Sequence, residues 1–149
     1  MNVQDNPLRF TAPAAAAAAP SLPARYAPYV LSIVRIMVGM LFFQHGLSHL
    51  FAWPAPMAWP PWFSLIWFAG AIELFSPLIV LGLFTRFTAF IFSGEMAFAY
   101  FIADAPNNFY PIVNRGDAAI LYCFIFLFIA FAGGGAWSVD AWWQRRKSR

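Results

Sequence analysis

The chain has 149 residues, of which 62% are hydrophobic and only 10% charged, with a formal net charge of +3. Ordinary soluble domains carry about 25% charged residues and a small globule has much surface to cover, which argues against a soluble enzyme, a disordered protein and an ordinary nucleic-acid binder. The single cysteine, Cys123, leaves no internal disulfide and no Cys-x-x-Cys relay. An integral membrane protein remains.

In chain order, residues 1–28 come first. Pro7, Pro13, Pro20, Pro23 and Pro28 punctuate them, with a run of alanines from Ala14 to Ala19. That run is too short to cross a bilayer, and no early basic cluster leads into a leucine-rich core as in a signal peptide. A disordered Ala/Pro-rich tail is predicted. Four apolar stretches follow, at about 29–51, 62–83, 85–105 and 117–137. Each has the ~20 residues that a membrane-crossing helix needs. They do not alternate as strands would, and helices satisfy their own backbone in lipid.

Prolines at 54, 56, 60 and 61 break the first connection. Gly82-Leu83-Phe84-Thr85-Arg86 is a short turn, which predicts that the second and third spans are antiparallel neighbours. Pro106 through Asn114-Arg115-Gly116-Asp117 separates the third span from the fourth, with Asp117 as a candidate cap. Glycines 133–135 end the fourth span. Thr85, Ala89, Ser93 and Ala97 give the third span a stripe for close packing, as Gly39 and Gly46 do for the first. The fold expected is an all-α integral membrane protein. It is a four-helix antiparallel bundle over 29–141, with a basic tail at 142–149.

Basic residues orient it. An even number of spans puts Arg9, Arg25, Arg86, Arg145, Arg146, Lys147 and Arg149 on one side, against Arg115 alone on the other. Both termini are expected in the cytoplasm. Trp53, Trp59 and Trp62 form an outer aromatic belt, and Tyr26, Tyr29, Trp142 and Trp143 an inner one. The tail Arg145-Arg146-Lys147 is a topology anchor that meets anionic lipid headgroups.

Function is sought where polar groups persist inside the membrane. At about 1.5 Å per residue, Arg35 lies roughly 9 Å in, and Glu73 and Glu95 roughly 15 Å. An Arg35/Glu73/Glu95 ion cluster is therefore expected. In it one carboxyl can stay protonated through burial and a like charge, and so relay protons or donate to a quinone-like carbonyl. The same residues also fit a static pair that fixes helix register, or a path for ions or solutes. Pro77 cannot bond the Glu73 carbonyl, so a kink is expected there, with Ser76 or water as the substitute donor. His45 and His49, one turn apart, suit a metal or haem iron with Asp104 or Asp117 as a third ligand, or proton handling, or plain hydrogen bonding to the loops. Cys123 reads as packing.

Several segments resemble the DoxX family. They are Val34-Arg35-Ile36-Met37-Val38-Gly39, Phe42-Phe43-Gln44-His45-Gly46, Glu73, the turn from Gly82 to Arg86, Glu95-Met96, Phe109-Tyr110-Pro111 through Asp117, Leu121-Tyr122-Cys123-Phe124 and Trp137-Ser138-Val139-Asp140. The resemblance covers about 28–141. It implies a four-helix bacterial inner-membrane protein, related to a subunit of a thiosulfate:quinone oxidoreductase and to redox complexes of thiol and oxidative stress. The family's polar pattern falls on Arg35, His45, Glu73, Arg86, Glu95, Asn114 and Asp117. His49 stands where a lysine is expected, and Asp117 where glutamate is common.

Together these point to an accessory subunit or small oxidoreductase component working near quinone, with electrons supplied by a redox protein partner. Candidate catalytic residues are Glu73, Glu95, Arg35 and His45. Candidate ligand-binding residues are Arg35, His45, Glu73, Glu95, Asn114 and Asp117, with His45 and His49 as weak metal candidates. The alternatives are a small solute or metal-handling transporter and a structural membrane anchor for a redox complex.

Overall fold

The computed structural model describes residues 21–148, and every regular element among them is helical. The predicted tail lies mostly outside the described residues. Its last part does not: α1 spans Leu22–Phe51, so residues 22–28 are helix rather than tail. Pro23 sits in the first turn, where a missing N–H costs nothing. Pro28 lies inside the helix, and its carbonyl is used twice, by Ser32 Oγ at 2.9 Å and by the Ala136 N–H at 3.0 Å.

The second predicted span is interrupted. It consists of α2 (Leu65–Glu73) and α3 (Ser76–Leu81). Pro77 is in the first turn of α3, and Ser76 Oγ donates to the Glu73 carbonyl that Pro77 cannot serve. Helix α4 (Thr85–Ala99) runs on through a π-helical turn, Tyr100–Asp104, ending one residue short of the predicted limit. A short α5 (Pro111–Asn114) precedes α6 (Asp117–Ala132), which stops at Gly133. The expected C-terminal tail is instead α7 (Val139–Lys147), capped by Ser138 Oγ, which accepts from the Ala141 N–H.

Two helices are long and apolar enough to cross a membrane, Leu22–Phe51 and Thr85–Asp104. Leu65–Leu81 and Asp117–Ala132 are apolar but shorter. The expected second and fourth spans lose length to the loop before Leu65 and to the glycine segment after Ala132.

Helix α1 lies against α2 and α3 in a single antiparallel register, marked by three glycines. A Cβ on Gly39 would stand 2.9 Å from Val80 Cγ2, one on Gly46 2.9 Å from Glu73 Cβ, and one on Gly70 2.8 Å from His49 Cβ. Helix α4 lies on α6 through the small-residue stripe, with Thr85, Ala89 and Ser93 buried and Ser93 Oγ donating to the Cys123 carbonyl at 2.9 Å. The short turn at 82–84 does join the second and third spans, but each packs more extensively on another helix, because the small residues face α1 and α6. Phe42, Phe92 and Phe126 bind the two pairs together, with ring centroids 4.9–5.3 Å apart.

Outside this core the surface is apolar. Phe87, Phe101 and Phe131 are each at least 70% exposed. Exposed large apolar side chains in this number mark a surface that meets lipid or protein.

Candidate functional site

Two groups of polar residues stand at different depths. The first is at the end where the 82–84 turn meets the glycine segment and α7. Arg35, fully buried, reaches this end from α1. Its Nε donates to the Gly134 carbonyl at 2.8 Å and Nη2 to the Trp137 carbonyl at 2.9 Å, while Nη1 serves the carbonyls of Ile79 and Val80. The last carbonyls of a helix have no partner within it, and a cation there also complements the helix dipole. Gly82 makes room: its φ is +72°, and a Cβ would stand 3.1 Å from Arg35 Cζ. Asp140 does the converse at the start of α4, accepting from the N–H of Phe84 at 3.0 Å and of Thr85 at 2.8 Å. Arg86 Nη1 donates to the carbonyls of Ala130 and Phe131, at the end of α6.

The expected Arg35/Glu73/Glu95 cluster therefore does not form. The register explains why. Glu73 faces Gly46, eleven residues beyond Arg35 on α1, or about 16 Å at 1.5 Å per residue. Arg35 instead stands level with the helix ends and bonds to their backbone.

The second group lies in the interior. Glu73, 2% exposed, shares a 2.7 Å hydrogen bond between its Oε2 and His49 Nδ1. Gly46 and Gly70 permit it, since neither leaves a side chain between α1 and α2. Glu95 comes from α4, ten residues past Thr85, and so also lies about 15 Å from the turn. Both its carboxyl oxygens are buried and have no hydrogen-bond partner among the described residues. Glu73 and Glu95 thus stand at similar distances from the 82–84 turn. Tyr122, from α6, packs edge-on against His45 with centroids 5.7 Å apart. The interior thus holds two carboxyls, an imidazole and a phenol from four helices. One of the carboxyls lacks a partner where burying a polar group without one is costly.

The remaining candidates have other roles. His45 is exposed, and its Nδ1–H donates to the Leu41 carbonyl at 3.0 Å. His49 turns to Glu73, so the two histidines do not converge. Among the described residues no three His, Cys, Asp or Glu gather as a metal site, with Asp104 and Asp117 or without them. Asn114 is buried and staples its own loop, donating to the Asn108 carbonyl at 2.8 Å and accepting from the Gly116 N–H at 2.7 Å. Asp117 does not cap α6: Gly116 holds that position, and Asp117 sits exposed in the first turn, where its charge still suits the helix dipole. The His49–Glu73 pair and the role of Asp140 at the start of α4 were not expected from the sequence. The signal for Asp140 was its place two residues after Ser138 at a helix start.

A family model described as DoxX matches residues 30–105, just over half of the chain. The chain belongs to the DoxX family. DoxX proteins are membrane proteins, in keeping with the two apolar helices and the exposed aromatic surface. Among curated proteins, an "Uncharacterized protein" of Haemophilus influenzae is 42% identical over 123 residues, covering 78% of this chain and 92% of that one. No solved structure matches. Of the family positions, Arg35 and Asn114 here serve backbone groups, and Glu73 and Glu95 face the interior.

Proposed function

We propose that this DoxX protein crosses a bacterial inner membrane four times with both termini cytoplasmic, and serves as an accessory subunit or component of a quinone-linked redox complex of thiol, sulfur or oxidative-stress chemistry. The observation that carries the proposal is the Glu95 carboxyl, buried with no hydrogen-bond partner among the described residues, at a depth close to that of the Glu73–His49 pair. A carboxyl in that position is available to donate to, or exchange a proton with, a carbonyl entering from the membrane. The Glu73–His49 pair holds a further exchangeable proton. Tyr122 forms part of the wall of an apolar cleft of about 440 Å³ between α1 and α6, suited to an isoprenoid tail. A quinone would accept two electrons and two protons; a partner protein supplies the electrons.

Topology draws on the basic residues. Arg25, Arg86, Arg145, Arg146 and Lys147 belong to the end that holds the 82–84 turn and α7, and Arg115 lies in the loop before α6. Leu65–Leu81, at about 1.5 Å per residue, is slightly short of the hydrocarbon thickness, and flanking aromatic residues accommodate such a shortfall.

The test uses membrane vesicles from cells lacking the chain, complemented with wild type, Glu95→Leu or Glu95→Gln, and follows substrate-driven quinone reduction. Both variants failing while the protein remains folded indicates proton exchange. Activity kept by Gln but lost with Leu indicates hydrogen bonding. Full activity with Leu would refute the proposal and favour a structural anchor.

A further inference from the structure

We propose that the end holding the 82–84 turn carries a binding site for an anionic phosphate group. A cleft of about 470 Å³ opens there between the first turn of α4, residues 133–135 and α7. Its cations are Arg86 and Lys147, from two different helices. The Arg86 guanidinium lies over Gly133, with Nη2 3.4 Å and Nε 3.7 Å from where a Cβ on that glycine would stand. Only Nη1 of Arg86 is engaged with the α6 carbonyls, which leaves the other edge of the fork for an oxyanion.

A second observation points to a ligand independently of charge. Thr85 is fully buried, lines the cleft, and its hydroxyl has no partner among the described residues. The hydroxyl stands 2.8 Å from where a Cβ on Gly134 would be, so the glycine keeps open the space beside it. The N–H groups of Gly134 and Gly135 likewise donate to nothing among the described residues. A hydroxyl, glycine amides and a guanidinium edge form the donor set that phosphate oxygens accept from. Asp140 also lines the cleft, but the N–H groups of Phe84 and Thr85 occupy both its oxygens, and the Arg35 guanidinium behind Gly134 offsets its charge. The exposed rings of Phe84, Phe87 and Trp143 stand on the same walls. The indole of Trp143 prefers headgroup depth and the two phenyl rings suit the acyl chains just below it, which favours a lipid phosphate over a free one.

The test is native mass spectrometry of the full-length chain in mild detergent. Dioctanoyl phosphatidylglycerol, dioctanoyl phosphatidylcholine and inorganic phosphate are the probes. Wild type should retain the glycerol lipid about tenfold better than the choline lipid. Lys147→Gln should cut that retention about fivefold, and Thr85→Val about threefold. Both variants should melt like wild type, because Lys147 is exposed and the Thr85 hydroxyl bonds to nothing that holds the fold. Displacement of the lipid by inorganic phosphate identifies a site for the bare anion; no displacement identifies the headgroup. Equal retention of the two lipids, or retention unchanged in both variants, overturns the proposal.

Discussion

Arg35→Met should loosen the fold at one end and leave the carboxyl centre untouched. The substitution keeps the aliphatic stem and removes a guanidinium that donates to four backbone carbonyls, of Ile79, Val80, Gly134 and Trp137. Bonds to a charged group contribute about 1.5 kcal/mol or more each, so the four together contribute about 6 kcal/mol. Removing a fully buried charge also recovers part of its desolvation cost, and the expected net loss is about 3–5 kcal/mol. Arg35→Lys should fall between, since an ammonium has three donors at one point and cannot span carbonyls on two segments. The assay is unfolding in detergent micelles followed by circular dichroism. The decisive comparison is the double variant with Glu73→Gln. Sites this far apart should add within about 0.5 kcal/mol. A larger coupling, or an Arg35→Met protein as stable as wild type, would refute the separation of Arg35 from the carboxylates.

Four further outcomes follow from the packing. His49→Ala leaves Glu73 buried with no side-chain partner and should cost about 3–5 kcal/mol, largely restored by adding Glu73→Leu; thermal melting of the single and double variants checks it. Gly46→Ala sets a Cβ 2.9 Å from the Leu74 backbone nitrogen and should cost about 1–3 kcal/mol. Gly94→Ala, on the same bundle with nothing within 4 Å, should be neutral or stabilise by up to about 1 kcal/mol. Asp140→Ala frees two N–H groups at the start of α4 and should cost about 0.5–2 kcal/mol, read by the same melts.

Much of the scaffold was legible in the residues. Glycines 82 and 133–135 ended helices where expected, and the Thr85, Ala89, Ser93 stripe proved to be the face that α6 covers. The start of α1 was not legible, because a proline in a first turn looks the same in sequence as a proline that forbids a helix. The site was half legible. Counting residues inward from predicted ends placed Glu73 and Glu95 at one depth, but gave no relative register for α1 and α2. That register is set by Gly39, Gly46 and Gly70, whose closest approaches depend on tertiary packing. It puts Arg35 against helix ends and His49 against Glu73. A long side chain such as arginine can be satisfied by carbonyls that leave no mark in composition or spacing.

The most direct measurement is the quinone content of the protein in its native complex, extracted in mild detergent and compared between wild type, Gly94→Ala and Glu95→Leu at matched melting temperature. Quinone retained by wild type and Gly94→Ala but lost from Glu95→Leu is the expected result. Equal quinone in all three, or none in wild type, would contradict a role for the unpartnered carboxyl.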